Sequence, residues 1–144
     1  MKILVSACLL GTPCRYDGKS KPVPGLEKLR EAGHILAPVC PEVLGGLPTP
    51  RPPAELQPDG RVVNRAGEDV TAAYLEGGRR ALALAREEDC TLAVLKAKSP
   101  SCGCHEIYDG SFTGTLIPGQ GVAARLLEES GIRVVDETEL DALL

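Results

Sequence analysis

The sequence of 144 residues has few aromatic side chains and no long apolar run. It contains no Trp, one Phe and three Tyr, so the core must be built mainly from Leu, Val, Ile and Ala. No segment approaches the ~18 consecutive apolar residues of a membrane-spanning helix. Residues 1–5 lack the long apolar stretch of a signal peptide and predict a first strand instead. We therefore expect a cytoplasmic protein that has no membrane partner.

The chain also lacks an excess of positive charge. Its 16 Lys and Arg residues are outnumbered by 20 Asp and Glu residues, which gives a formal net charge of −4. A nucleic-acid-binding domain usually carries a broad basic surface, so this composition argues against a nucleic-acid partner. A local basic pocket for a small anion stays compatible with it. The length predicts one domain over residues 1–144.

Six cysteines are present, but none of them forms a C-x-x-C pair. Structural zinc sites often use such pairs, so a standard zinc module is not indicated. In a reducing compartment, cysteines are more often free, catalytic or metal-binding than paired in disulfides. Function is therefore best sought where the cysteines come together in the fold.

Apolar runs and helical stripes alternate along the chain. They predict strands near residues 2–8, 34–39, 91–97 and 132–135 and helices near residues 24–32, 69–88, 122–130 and 137–144. This alternation predicts an α/β fold: a single three-layer, Rossmann-like domain with a small, mostly parallel sheet of about four to five strands. Pro38 predicts that the second strand is an edge strand or that Pro38 lies at the end of the strand. The Pro-rich residues 41–66 predict a lid or binding loop, with a small hairpin between Leu56 and residues 61–63.

Three cysteines follow three of the predicted strands. Cys8 ends the first strand, Cys40 follows the second and Cys102 comes just after the third. Ligands of open parallel sheets bind beyond the carboxyl ends of the strands, so these thiols should meet at one edge. Cys90 precedes the third strand and should lie at the opposite edge as a small buried hydrophobe. Cys14 and Cys104 fall on the functional side as spare ligands, redox partners or bystanders.

Three thiols from separate loops suit two kinds of metal centre. A [4Fe-4S] cluster held by three thiolates leaves one iron open to a substrate. Such an iron is a soft Lewis acid and favours a sulfur ligand. Zinc is the alternative, with His105 as a fourth ligand. Glu42 and Ser101 lie beside the thiols along the chain, and a carboxylate and a hydroxyl suit acid–base work.

Four sequence blocks carry a family resemblance. They are Ser6-Ala7-Cys8-Leu9-Leu10-Gly11 with Cys14-Arg15-Tyr16-Asp17-Gly18, Pro38-Val39-Cys40-Pro41-Glu42 with residues 45–52, Gly67-Glu68-Asp69-Val70-Thr71, and residues 96–103. Together they resemble the thiouracil desulfidase family of small bacterial domains. The resemblance implies a [4Fe-4S] enzyme of sulfur metabolism. It removes sulfur from a small thiolated base, such as 2- or 4-thiouracil, and releases the oxo-base and sulfide.

The resemblance also implies roles for particular residues. The cluster cysteines of the family match Cys8, Cys40 and Cys102, and its catalytic acid and serine match Glu42 and Ser101. Further candidates for substrate binding are polar residues near this edge: Arg15, Asp17, Ser99 and Lys98.

Most of these polar residues also have an ordinary structural interpretation. Asp17-Gly18 is a common turn that could pair with Arg15, and lysines at this edge often extend into solvent. For Arg51 in the Pro-rich loop, the sequence favours a solvated side chain. Asp69 and Thr71 predict a helix cap.

Two other functions agree with the same residues. A thiol redox or sulfur-carrier protein would cycle Cys102 with Cys104 or Cys14 through a disulfide or persulfide. A structural zinc-binding interaction module would use the same thiols without catalysis.

Overall fold

A computed structural model describes residues 1–143. Its strands are β1 Lys2–Ser6, β2 Ile35–Val39, β3 Ala54–Leu56, β4 Val62–Asn64, β5 Leu92–Leu95, β6 Glu106–Tyr108, β7 Leu116–Pro118 and β8 Arg133–Asp136. Its α-helices are α1 Gly25–Glu31, α2 Pro41–Leu44, α3 Thr71–Glu87 and α4 Val122–Glu129. Short 3-10 helices span Ala7–Leu10 and Glu137–Leu143. Among the residues described, no helix is long and apolar enough to cross a membrane.

The central sheet has four strands in the order β2-β1-β5-β8. Every neighbouring pair in it is parallel, with Ile3 opposite Leu36 in one pair and Leu92 opposite Arg133 in another. β2 is an edge strand, as Pro38 predicts, because proline has no N–H to donate to a second neighbour. The predicted parallel α/β sheet is therefore confirmed.

Side chains alternate across the sheet and fill two cores. Ile3 and Val5 of β1 face one side and pack with Leu26 and Leu29 of α1. Leu4 faces the other side, where the partners come from α3 and α4: Ala81, Ala85, Ala124 and Leu127. Helices thus cover both faces of the sheet, which confirms the three-layer arrangement. These small and aliphatic side chains fill the core, in which aromatic residues are scarce.

The Pro-rich region contains more structure than its composition predicts. The small hairpin is present as the antiparallel pair of β3 and β4. The region also contains helix α2, which the sequence does not predict because a single turn is too short to show periodicity. A second hairpin, β6 with β7, lies in a segment where the sequence predicts no strand. Its strands have three residues each, so no alternating pattern can develop.

Close packing of α2 against α3 positions the residues after Cys40. A Cβ added at Gly77 of α3 would lie 1.9 Å from the carbonyl oxygen of Pro41, and one added at Gly45 would lie 2.0 Å from that of Ala73. Only glycine leaves room for backbones to approach so closely. These two glycines therefore set where Glu42 lies relative to the sheet.

Candidate active site

The carboxyl ends of the parallel strands open into a cavity of about 960 Å³. Cys8 reaches it from the 3-10 turn after β1, Cys40 from the start of α2, and Cys102 from the loop after β5. The three cysteines at the predicted strand ends thus share one cavity. Cys90 lies before β5, in a separate small pocket.

Cys14 is a fourth thiol in the same cavity. Its carbonyl oxygen accepts a hydrogen bond from Sγ of Cys40 at 3.8 Å. The neighbouring side chain of Cys14, together with burial, raises the pKa of Cys40 above its ordinary value. Burial also raises the pKa of Cys102 to about 12. These thiols are therefore protonated at neutral pH unless a nearby cation stabilises their thiolate forms.

The loop that carries Cys102 is held by the first turn of α4. The backbone N–H groups of Val122 and Ala123 donate to the carbonyl oxygens of Pro100 and Ser101, at 2.9 Å each. Ser99 Oγ accepts hydrogen bonds from the backbone N–H groups of Ser101 and Cys102, at 3.1 Å each. The cysteine is thus presented by a loop whose backbone is tied at both sides.

Glu42 forms a buried ion pair with Arg51. Both Nε and Nη2 of Arg51 reach Oε2 of Glu42, at 2.8 and 2.6 Å. The side chain of Glu42 is 13% exposed and that of Arg51 is 5% exposed. The other donors of the guanidinium reach the carbonyl oxygens of Cys14 and Pro48 and the hydroxyl of Thr49. Arg51 therefore binds the carboxylate and fixes the first and second cysteine loops relative to each other.

The second oxygen of Glu42 faces hydroxyl groups. Ser99 Oγ donates to Oε1 at 3.4 Å. The buried Tyr74 of α3 lies next to the same carboxylate, and burial, followed by the charge of Glu42, raises the pKa of its phenol. One oxygen of Glu42 is thus bound by Arg51, while the other accepts a hydrogen bond from the hydroxyl of Ser99 on the cavity wall.

The two serines of the loop have different surroundings. Ser99 lines the cavity and contacts Glu42. Ser101 is 1% exposed, is not among the residues that line the cavity, and accepts a hydrogen bond from Sγ of Cys102 at 3.9 Å. The hydroxyl next to Glu42 is therefore that of Ser99, whereas Ser101 contacts a cysteine of the predicted set.

The structure separates the remaining substrate-binding candidates. Arg15 lines the cavity, and its guanidinium lies over the ring of Tyr16, 5.9 Å from the centroid. Lys98 lines the cavity as well, although it is exposed. Asp17 does not reach the cavity: its side chain is exposed and accepts a hydrogen bond from the backbone N–H of Lys19, as in an ordinary turn. Arg15, Ser99 and Lys98 thus lie on the cavity wall, and Asp17 lies outside it.

The cavity is basic although the chain is acidic overall. Its walls carry six basic side chains and three acidic ones: Arg15, Lys21, Arg51, Arg65, Lys96 and Lys98 against Glu42, Glu55 and Glu137. Lys96 does not extend freely into solvent, since its Nζ lies 3.1 Å from Glu137. A basic lining favours an anionic cofactor or substrate.

Sequence reasoning missed two residues of this site, Arg51 and Tyr74, and placed a third, Cys14, on the functional side without its contact to Cys40. The prediction of a solvated Arg51 is wrong, because no local pattern links the Pro-rich loop to Glu42. Tyr74 lies within the apolar stripe of α3 and looks like core. For Cys14 the signal was available, since it is a thiol in the first loop, but its closeness to Cys40 depends on how that loop folds back.

The family model described as 2-thiouracil desulfurase matches residues 3–139. The chain belongs to the 2-thiouracil desulfurase family. This membership confirms the resemblance carried by the four sequence blocks. The match extends from β1 to the last 3-10 helix, so it includes all four strands of the sheet and the whole cavity.

Two similar proteins span nearly the whole chain. The uncharacterized protein YbbK of Bacillus subtilis (strain 168) is 44% identical over 152 residues and covers 99% of this chain and 99% of its own length. A solved structure of the [4Fe-4S]-dependent thiouracil desulfidase TudS (DUF523Vcz) superposes with a TM-score of 0.92 at 48% identity. It covers 99% of this chain and 94% of that chain. The likeness thus includes the loops that form the cavity as well as the sheet.

Proposed function

We propose that this protein is a desulfidase that removes sulfur from a thiolated nucleobase, such as 2- or 4-thiouracil, and releases the oxo-base and sulfide. Membership of the 2-thiouracil desulfurase family and the likeness to TudS support a desulfidase role. The observation that carries the proposal is the meeting of Cys8, Cys40 and Cys102 in one basic cavity beside Glu42.

The donors of this cavity are suitable for a [4Fe-4S] cluster. Cysteine thiolates are the standard ligands of such clusters, and all six cysteines here are free. Cys8, Cys40 and Cys102 would hold the cluster, and the basic lining balances the negative charge of a cluster with three thiolates. When bound, the cluster would supply an open iron that attracts a soft thiocarbonyl sulfur and makes the adjacent ring carbon electrophilic.

The chain itself would supply the acid–base chemistry. The overall reaction is a hydrolysis: water adds to the thiocarbonyl carbon, the C–S bond breaks, a C=O bond forms, and sulfide leaves. No net electron transfer is required. Glu42 Oε1 would take a proton from the attacking water, since Arg51 binds the other oxygen. Ser99 and Tyr74 would pass that proton between Glu42 and the ring or the leaving sulfur.

Ser101 stays in the proposal as the serine that matches the catalytic serine of the family. Its hydroxyl contacts Cys102, so we assign it the positioning of that thiolate. The assignment separates it from Ser99, the hydroxyl next to Glu42. Replacing Ser99 with Ala should lower kcat and alter its pH profile, whereas Ser101→Ala should first change the absorption spectrum of the bound cluster. The reverse pattern would exchange the two roles.

The proposal is tested by loading the protein with iron and sulfide under anaerobic conditions. We expect about four iron atoms per chain, as in a [4Fe-4S] protein. The loaded protein should convert 2- or 4-thiouracil to uracil, which is followed by the loss of the thiocarbonyl absorbance and by sulfide release. Loaded protein that is inactive on thiolated bases and nucleosides would contradict the substrate assignment.

The closeness of the Cys14 and Cys40 side chains favours a second candidate, a thiol redox or sulfur-carrier protein. This pair takes the place of the pairing of Cys102 with Cys104 or Cys14 considered from the sequence, because Cys104 does not line the cavity. Such a protein would be active without iron and would form a Cys14–Cys40 disulfide on oxidation. Titration of thiols in metal-free protein, before and after mild oxidation, separates the two functions. Retention of iron together with desulfidation would exclude the redox candidate as the main role.

A further inference from the structure

A second group of ligand-type side chains lies behind the loop that carries Cys102. Cys104 and His105 continue that loop, Asp136 ends β8, and Glu139 belongs to the following 3-10 helix. One ligand atom from each of the four side chains lies within 4.8 Å of the others. Thiol, imidazole and carboxylate groups thus converge from two segments that are distant in the sequence.

Asp136 gives an independent reason to expect a cation. Its side chain is 5% exposed, and its Oδ1 accepts hydrogen bonds from the backbone N–H, at 2.8 Å, and the hydroxyl of Thr138. Within residues 1–143, no Lys or Arg forms a salt bridge with it, and no hydrogen bond ends on Oδ2. Buried carboxylates are normally paired with a positive group or coordinate a metal. No fully buried side-chain oxygen of the described residues lacks a hydrogen-bond partner, so Oδ2 keeps some contact with solvent and is the oxygen open to a metal ion.

The other members of the group support the same interpretation. Cys104 is 8% exposed, and its sulfur forms no hydrogen bond with another residue among those the structure describes. Oε1 of Glu139 accepts a hydrogen bond from the backbone N–H of Asp136 at 3.1 Å and lies 2.5 Å from Nε2 of His105. Hydrogen bonds from Thr138 and from the backbone thus orient both carboxylates, as the outer contacts of metal ligands commonly do.

The group is separate from the proposed active site. Its four members are absent from the cavity wall, whereas their neighbours Cys102, Glu137 and Thr138 line it. The two sites therefore use neighbouring residues of the same two segments, the loop after β5 and the segment after β8. Residues that serve one site do not serve the other.

We propose that Cys104, His105, Asp136 and Glu139 bind one zinc ion. The usual bond lengths of about 2.0–2.3 Å place the ligand atoms of a tetrahedral zinc site roughly 3.3–3.8 Å apart. The four atoms need only small movements to reach that spacing. A set with sulfur and nitrogen ligands favours zinc over magnesium or calcium. Binding releases the thiol proton of Cys104 and the proton shared by His105 and Glu139, and no oxidant or reductant is needed.

Such a zinc ion would tie the C-terminal 3-10 helix to the loop that presents Cys102. This link adds to existing contacts, since the backbone N–H of Ala97 donates to Glu137 at 2.6 Å. The zinc ion would thus stabilise the geometry of the cavity without contacting the substrate.

Metal analysis of the full-length, anaerobically prepared protein tests the proposal. After equilibration with zinc chloride and removal of loosely bound metal, we expect one zinc ion per chain in addition to iron. His105→Ala and Cys104→Ser should lose this zinc and keep their iron. His105 is exposed, so its replacement should not prevent folding. His34→Ala and Cys90→Ser are matched controls that should keep the zinc.

A Cys102→Ser variant distinguishes this site from the cavity. It should lose iron and keep zinc, so the zinc proposal can succeed even if the cluster assignment fails. In cobalt-substituted protein, the near-ultraviolet sulfur-to-cobalt charge-transfer band should disappear in Cys104→Ser and persist in Cys102→Ser. Three results would overturn the proposal: absence of bound zinc, zinc retained in both His105→Ala and Cys104→Ser, or zinc lost in Cys102→Ser alone.

Discussion

Buried cysteines lie both where the strands of the central sheet begin and where they end, but their surroundings differ. Cys102 is 6% exposed and shares a cavity with three other cysteines and with Glu42. Cys90, at 5% exposed, lies where the chain enters β5, in a pocket that contains no other cysteine among the described residues. Burial is therefore the same at both ends of the strands, and the grouping of thiols is different. The comparison teaches that burial alone does not identify a functional cysteine.

The physical reason lies in the parallel sheet. The carboxyl ends of all four strands point to one side, so the loops that follow them converge there. The strand starts converge on the other side, where the chain arrives from helices. Residues placed directly after several strands thus meet, whereas Cys90 has no counterpart at the start of another strand.

The largest expected effect is the difference between replacing Cys102, after β5, and replacing Cys90, before it. Cys102→Ser should lose bound iron and reduce desulfidase activity by more than about 100-fold, since even the outer contacts of metal ligands are worth 10–100-fold. Cys90→Ser should keep its iron and most of its activity. Iron analysis and turnover assays of both variants provide the measurement. Equal iron loss in both variants would contradict the difference between the two ends of the strands and indicate a shared effect on folding.

A smaller effect is expected at the carboxylate of the cavity. Glu42→Gln keeps the shape of the side chain and removes its ability to take a proton, so kcat should fall by about 10²- to 10⁴-fold. Iron content should stay at the wild-type level. Glu88→Gln, at the far edge beside Lys2, is the matched control and should leave kcat unchanged. Normal turnover in Glu42→Gln would remove Glu42 from the mechanism.

The ion pair between Glu42 and Arg51 should affect folding as well as activity. Arg51→Met leaves a largely buried carboxylate without its partner, and breaking such a pair costs about 3–5 kcal/mol. Urea unfolding of metal-free protein would measure this loss. Arg61→Met serves as the control because its pair with Asp59 is exposed and should contribute little. A loss as small as that of the control would mean that water screens the Glu42 pair.

The smallest effect is expected at the start of α3, outside the cavity. Asp69 accepts hydrogen bonds from the backbone N–H of Thr71, at 2.9 Å, and from its hydroxyl, and these hold its pKa below the usual value. A depressed folded-state pKa stabilises the protein above the unfolded-state pKa of about 3.9, and that stability is lost as the pH falls through the folded-state value.

Thermal unfolding between neutral and acidic pH tests this contribution. Asp69→Asn should show a slightly lower Tm than the wild type at neutral pH, and the difference should shrink at acidic pH. Asp69 is not the N-cap residue that the sequence predicts, since Val70 holds that position, but its carboxylate fixes the turn just before α3. Iron content and activity should not change, because this turn lies outside the cavity. A loss of activity without a change in Tm would instead connect this turn to the cavity.

Much of the fold could be predicted because its signals are local. Each strand of the sheet is a short apolar run, and the helical stripe of α3 repeats over several turns. Features of three or four residues, such as α2 and the β6–β7 hairpin, were missed because no period can be read from so few positions. The strand predicted near residues 91–97 also ends earlier, at Leu95, so Lys96 lies outside it.

The sequence by itself determined that three cysteines follow three parallel strands and that Glu42 lies close to one of them along the chain. Only the tertiary structure decided which groups touch. Arg51, from a loop without periodicity, forms an ion pair with Glu42. Ser99 rather than Ser101 contacts that carboxylate, and Cys104 lies near Asp136. The reason is that strand periodicity acts over neighbouring residues, whereas these contacts close loops of many residues, whose geometry depends on the packing of the whole fold.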